Sequence, residues 1–254
     1  MVQHAMKISY VLPIWINLRD DRNWERDLDN ALMMLDAQTV RPHEVLVIDL
    51  SEKAECNETV ERVTGAHFAT RIHAPQKTFS MSHGFNVGIK QATGDYIACI
   101  GFEMMLSVNY TETIQERAVP LAHLSGTCGF LGPDADLSDL TGRWDELIEP
   151  MEHNPVPGRK ENTYRKTVGA LQVMHRDQWH RLRGYNEEVP FARADSELIR
   201  AVRKARLKER IIIWEQAQML HPHHKKASSL MKHIGGIVNL DAIRERNAKG
   251  WGEV

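Results

Sequence analysis

Cysteine is scarce in this 254-residue chain, with only Cys56, Cys99 and Cys128. Three scattered thiols form neither a disulfide framework nor a zinc cluster. Cys99, set within an apolar run, reads as a buried thiol. No run of about 18 apolar residues occurs, which argues against a membrane-spanning segment. The first residues also lack the apolar centre of a signal peptide. A cytoplasmic location is therefore expected, with peripheral attachment to a membrane enzyme system left open. An excess of one charge is missing as well. The net charge of −2 gives no electrostatic reason to expect nucleic acid or an anionic membrane as the main partner. Internal repeats and low-complexity blocks are absent.

What remains is enough chain to bury a full core, read as one α/β domain with a smaller appended lobe. Ile8 to Ile14 predicts a buried strand that Pro13 brings to its end. Trp24, Leu28, Ala31 with Leu32, and Leu35 lie on one face of an amphipathic helix. Glu44 to Leu50 predicts a second strand, with Asp49 and Ser51 in its last turn, and Phe68 to His73 a short third. Met81, Phe85, Gly88 with Ile89, and Ala92 mark a further helical face. Thr93-Gly94-Asp95 then punctuates before the apolar run Tyr96 to Ile100. Strands alternating with helices imply right-handed crossovers and a mainly parallel sheet.

Beyond Asn109 the pattern loosens. Leu121 to Leu131 is mixed. Pro133 to Lys160 is polar and reads either as a solvated connection or as a lid. Val168 to Met174 predicts a strand, His175 to Arg183 a short helix and Asp195 to Arg210 a longer one, with Leu198, Ala201, Val202 and Ala205 on its apolar stripe. Its basic face reads as solvated surface rather than a phosphate site. Ile211 to Trp214 predicts a brief strand before His221-Pro222-His223-His224-Lys225-Lys226. The domain is expected over 1–227, in halves 1–108 and 109–227, with a helical tail at 228–254.

These landmarks stand in an ordered series: a strand ending at Pro13, QTVRPHEVLVIDLS, FSMSHGFNVGIKQATGDYI, VGALQVMHRDQWHRLRGYNEEVPFARADSEL and MLHPHH. From Lys7 to His224 the series resembles the inverting family-2-type nucleotide-sugar glycosyltransferases of the GT-A fold. Its later part is similar to the galactosyltransferase-like C-terminal region of chondroitin-polymerase-type enzymes. The resemblance implies a Rossmann-like, mainly parallel sheet flanked by helices, with a smaller C-terminal acceptor lobe. The implied substrates are a nucleotide-diphosphate sugar, UDP-linked, and a glycan or polysaccharide acceptor. The first half would bind the nucleotide and the second the acceptor.

The resemblance also assigns residues. Asp49 would accept a hydrogen bond from the uracil N–H, a charge-assisted bond of about 1.5–3 kcal/mol, or else only order its turn through Ser51. Pro13 and Ile14 would edge the base pocket. Asn86 matches a family asparagine whose amide either fixes local backbone or touches the ligand. His83 is either near the diphosphate or merely packed. Where the family carries Asp-x-Asp, this chain has Gly101-Phe102-Glu103. The first acid is lost, while Glu103 keeps the charge of the principal metal ligand one methylene farther out. His221 is the positional match for the histidine that completes the metal site, with His223 and His224 as neighbours. Mixed oxygen and nitrogen ligation favours Mn2+, with Mg2+ the alternative. The histidines also read as an exposed turn, in which case Lys225 or Lys226 would offset the diphosphate charge.

Inverting transfer requires a base for the acceptor hydroxyl. Within Phe191-Ala192-Arg193-Ala194-Asp195-Ser196-Glu197, Asp195 matches the family's catalytic aspartate and Ala194 replaces its acidic neighbour. Helix N-capping is the competing role for Asp195. Trp144 or Trp179 would stack on an acceptor sugar, burial in the small lobe being the alternative for Trp179. Losses at 101 and 194 keep open a non-catalytic nucleotide-sugar-binding or scaffold protein. A sugar-phosphate nucleotidyltransferase ranks lower, because the first strand lacks a Gly-rich, basic phosphate loop.

Overall fold

The computed structural model describes residues 6–16, 23–77, 79–153, 163–165, 170–189, 193–223, 247 and 251–253. In chain order the first half runs β1 (Ile8–Ile14), α1 (Trp24–Asp36), β2 (Glu44–Asp49), α2 (Ala54–Gly65), β3 (Thr70–His73), α3 (Met81–Gln91), β4 (Tyr96–Ile100) and β5 (Met105–Leu106). The second half runs α4 (Tyr110–Arg117), β6 (Ala122–Gly126), β7 (Cys128–Phe130), α5 (Trp144–His153), β8 (Thr163–Arg165), β9 (Leu171–His175), α6 (Arg176–Leu182), α7 (Ala194–Lys204), β10 (Lys208–Ile212) and β11 (Met219–His221).

A seven-stranded sheet has the order β10-β6-β9-β4-β1-β2-β3. All its pairings are parallel except those of β9, which runs antiparallel to β4 and β6. Side chains of β1 alternate between two cores, as a strand's period of two requires. Ile8, Tyr10, Leu12 and Ile14 join α1, α2 and α4 in one apolar cluster. Val11 joins α3, α6 and α7 in another. A second sheet, β5-β11-β7-β8, shares a third cluster with α5. The α/β architecture, mainly parallel sheet and flanking helices therefore stand as the sequence indicates.

Helix α3 rides directly on β1 and β2. A Cβ on Gly88 would lie 2.1 Å from Val11 Cγ1, and one on Gly84 2.7 Å from Pro13 Cβ. Two glycines one turn apart let this helix approach the sheet, which seats its first turn beside the carboxyl ends of β1 and β2. Ser80 caps that turn by accepting from the His83 N–H at 3.2 Å.

Elsewhere the structure corrects the sequence reading. Residues 54–65, given no element there, form α2, with Cys56, Val60, Val63 and Thr64 buried. The polar connection at 133–160 contains α5, whose Leu147 and Met151 are buried with Leu140 and Trp214. It is thus partly core, not a solvated strand of chain. The helix expected over 195–210 ends at Lys204, because Arg206 takes a left-handed φ of 57° and β10 begins at Lys208. Most of the tail expected to be helical, 228–254, lies outside the described residues, as do Phe191, Ala192, His224, Lys225 and Lys226.

Candidate active site

The register brings Ile14, Asp49 and Gly101 to one end of the large sheet. Ile14 pairs with Asp49 and Asp49 with His73, so β1, β2 and β3 finish level. Tyr96 to Cys99 of β4 pair alongside Ile8 to Val11, and Gly101 follows β4 directly. Carboxyl ends of parallel strands form the crevice where open α/β sheets hold ligands.

Asp49 is fully buried. Its Oδ1 accepts the Ser51 N–H at 3.0 Å, and its Oδ2 takes Arg71 Nε at 3.0 Å and Nη2 at 2.7 Å. The Ser51 turn expected from sequence is present. Arg71 is the residue sequence reasoning missed, because a lone arginine in a short strand carries no motif. Its guanidinium compensates a carboxylate that could not be buried unpaired.

Glu103 and His221 come together. Residues 101–104 form a turn, closed by the Met104 N–H on the Gly101 carbonyl at 3.0 Å. In the small sheet β5 pairs antiparallel with β11, Met105 against Leu220, so the chain just before β5 lies beside His221. His221 Nε2 stands 3.5 Å from Glu103 Oε1. The other ring nitrogen, Nδ1, is 2.7 Å from the Pro222 carbonyl and donates to it, so Nε2 is the nitrogen turned toward the carboxylate. Phe130 tilts against the same ring at 5.3 Å. One carboxylate and one imidazole suit a borderline divalent ion such as Mn2+. Among the described residues no group of three or more His, Cys, Asp or Glu side chains gathers to hold a metal.

Gly101 and Glu103 are physically linked. A Cβ at Gly101 would lie 2.9 Å from Glu103 Oε2 and 3.2 Å from its Cδ. The Glu103 carboxyl thus folds back toward the space that a side chain at position 101 would enter.

Beyond β3 and beside α3 lies a cleft of about 450 Å³, lined by Lys77, Phe79, Ser80, His83 and Glu187 among others. Trp15, just past β1, stacks on Phe79 at 5.4 Å. His83 Nδ1 stands 3.4 Å from Glu187 Oε2. Burial pushes the Glu187 carboxyl up, but hydrogen bonds from His83, Asn86 and the Gly252 N–H outweigh it and hold the group below its ordinary range. Asn86 is fully buried, with its amide turned to the protein. Its Nδ2 donates to the Tyr185 carbonyl at 2.9 Å and to Glu187 at 2.8 Å, and its Oδ1 accepts the Tyr185 N–H at 2.7 Å. Of the two roles open to Asn86 in the sequence, this is the backbone-fixing one.

Asp195 is the second residue of α7, and the preceding Ala194 is buried in the cluster shared with α3. The N-cap is Arg193, at φ 72°, and it makes no side-chain capping bond. Among the described residues no hydrogen bond or ion pair holds the half-buried Asp195 carboxylate. Trp179 cannot stack on a sugar: it is fully buried under the large sheet, donating to the Ile97 carbonyl at 3.0 Å. Trp144 packs at the edge of the third cluster. His223 is exposed. All three cysteines are free and buried, and burial holds the Cys99 thiol well above its usual range.

No protein-family model matches this sequence, and neither does any curated protein. Solved structures do match in fold. The mannosyltransferase PcManGT of Pyrobaculum calidifontis, in complex with GDP-Man and Mn2+, superposes with a TM-score of 0.55 at 15% identity, covering 89% of this chain and 59% of its own. GalNAc-T7 with UDP, GalNAc and Mn2+ gives 0.55 at 13%, covering 87% and 44%. TarS of S. aureus gives 0.57 at 14%, covering 86% and 37%. The chain thus has the GT-A glycosyltransferase fold and spans less than two thirds of each of these structures. No helix among its described residues is long and apolar enough to cross a membrane.

Proposed function

We propose that this chain is a glycosyltransferase that moves a sugar from a nucleoside-diphosphate donor, UDP-linked, to a hydroxyl of a glycan or polysaccharide acceptor, with inversion. The observation that carries the reading is the Glu103–His221 pair, 3.5 Å apart just past the carboxyl end of β4. It gives a GT-A fold a place for a divalent cation where a diphosphate would lie. The solved neighbours bound to GDP-Man or UDP, each with Mn2+, support the same chemistry.

Arg71, held by the fully buried Asp49, would border the base at the strand ends where Pro13 and Ile14 are buried, and the turn at Gly101 would lie beside the ribose and diphosphate. Glu103 and His221 would hold Mn2+ or Mg2+, which when bound offsets the charge of the leaving diphosphate. Asp195 at the start of α7 would take the acceptor hydroxyl proton as that oxygen bonds to the anomeric carbon. The bond from the anomeric carbon to the diphosphate oxygen breaks, and its electron pair leaves with the nucleotide. Attack from the opposite face inverts the centre.

The alternative, a non-catalytic nucleotide-sugar binder, is favoured by Gly101 and Ala194, which leave two acidic positions of the resembled pattern empty. Release of nucleoside diphosphate from UDP-sugars, with and without oligosaccharide acceptors, separates the two. The expected result is turnover by the wild type and a loss of at least about a hundredfold in Asp195→Asn, with nucleotide binding retained. Full turnover in Asp195→Asn would remove Asp195 from the mechanism. No turnover by the wild type with any donor would favour the binding protein.

A further inference from the structure

Residues near the C-terminus meet the wall of the cleft. The Asn247 side chain donates to the carbonyls of Arg183, at 2.6 Å, and Tyr185, and accepts the Glu187 N–H at 2.9 Å. The Arg183 guanidinium returns a bond to the Asn247 carbonyl at 2.8 Å. Trp251 packs against the apolar cluster under α3 and α6, edge-on to His180 at 5.7 Å, with the Lys90 ammonium 5.1 Å from its ring centre. The Gly252 N–H then donates to Glu187 Oε1 at 2.9 Å, the oxygen that also takes the Asn86 amide. Gly252 has a φ of +63°, and a Cβ there would lie 2.6 Å from the Asn86 carbonyl oxygen. A side chain is excluded both by conformation and by space.

Two of these contacts meet at Glu187, Asn247 on its backbone N–H and Gly252 on its carboxylate, whose second oxygen faces His83. We propose that the C-terminal segment is a clasp that completes the donor cleft: it fixes Glu187, Glu187 fixes the ring of His83, and His83 Nε2 meets an anionic oxygen of a nucleoside diphosphate. Lys77 on the same cleft wall adds a second positive charge. Set between a carboxylate and a phosphate oxygen, the imidazole holds both of its N–H protons and donates to each neighbour. His83 is then the ligand contact, and Glu187, Asn247 and Gly252 are positioning residues. This inference rests on the nucleotide-binding reading of the site.

Calorimetric titration of UDP and GDP into the full chain, with nitrogen-detected NMR of the His83 ring, tests it. Glu187→Gln and Gly252→Ala are each expected to weaken nucleoside-diphosphate binding about tenfold, the scale of one charge-assisted hydrogen bond. Their combination should add little, because both act through one chain of contacts. In the wild type the nucleotide should bring both His83 nitrogens into the protonated form. Wild-type affinity in Gly252→Ala, or a His83 ring unmoved by the nucleotide, would overturn the proposal. Should Gly252→Ala not fold, Asn247→Ala, which only removes clasp bonds, decides by the same readouts. If the wild type binds neither nucleotide, the functional reading fails instead. The clasp is then judged on His83 alone, and ring resonances identical in wild type, Asn247→Ala and Glu187→Gln would overturn it.

Discussion

At the scale of single residues, set against the Asp-x-Asp pattern that the sequence resembles, Gly101-Phe102-Glu103 reads as a swap rather than a loss. The Glu103 carboxyl reaches toward His221 with one oxygen and lies 2.9 Å from where a Gly101 Cβ would stand with the other, so a side chain at 101 would crowd it. Restoring an acid at position 101 alone should therefore harm the site. Gly101→Asp is expected to displace the Glu103 carboxylate from His221 and to lessen the gain in nucleotide affinity that Mn2+ confers, by about tenfold for one lost charge-assisted contact. The double variant Gly101→Asp/Glu103→Asp should recover it. Calorimetry with and without Mn2+ reads both, and a Gly101→Asp protein that gains Mn2+ dependence would contradict the swap. The identity of this acid was legible in the sequence; its direction was not, because a side chain's fold-back depends on the turn closed at Met104. The Asp49–Arg71 pair was half legible for a similar reason, since only strand register brings β3 against β2.

At the scale of elements, α3 does most to place the site. Its glycines allow contact with β1 closer than any side chain permits, and its capped first turn carries His83 to the cleft. Gly88→Ala should drive a methyl into Val11, and overpacking of this kind costs about 1–3 kcal/mol. Thermal or denaturant unfolding checks the loss, and a variant as stable as wild type would mean that α3 can lift without cost. Helix α3 and strands β1, β2 and β4 were readable because their apolar periods are clean and bounded by Pro13 or Thr93-Gly94-Asp95. Helix α5 was not, since Asp145, Glu146, Glu149 and Pro150 mask the Leu147 and Met151 that it buries. Its partners Leu140 and Trp214 are distant in sequence, and tertiary packing rather than local pattern decides it. The small sheet escaped notice because β5, β7 and β11 have only two or three residues each.

At the scale of the whole molecule, the site is assembled from parts that no local stretch contains. The large sheet levels Ile14, Asp49 and His73. The small sheet sets His221 beside Glu103. Near the C-terminus, Gly252 bonds to Glu187 between α6 and α7, and Trp251 packs on the apolar cluster that α3 shares with α6. The GT-A fold follows from the order of landmarks along the chain, whereas the pairing of Glu103 with His221 needed three dimensions to test. That pairing is also where the functional account is most exposed. Its most direct test is titration of UDP and GDP with and without Mn2+, on wild type and on Glu103→Ala. The account predicts binding of at least one nucleotide, strengthened about tenfold or more by Mn2+, with that gain abolished in Glu103→Ala. Identical affinity with Mn2+ and with chelator, or no binding of either nucleotide, would contradict it.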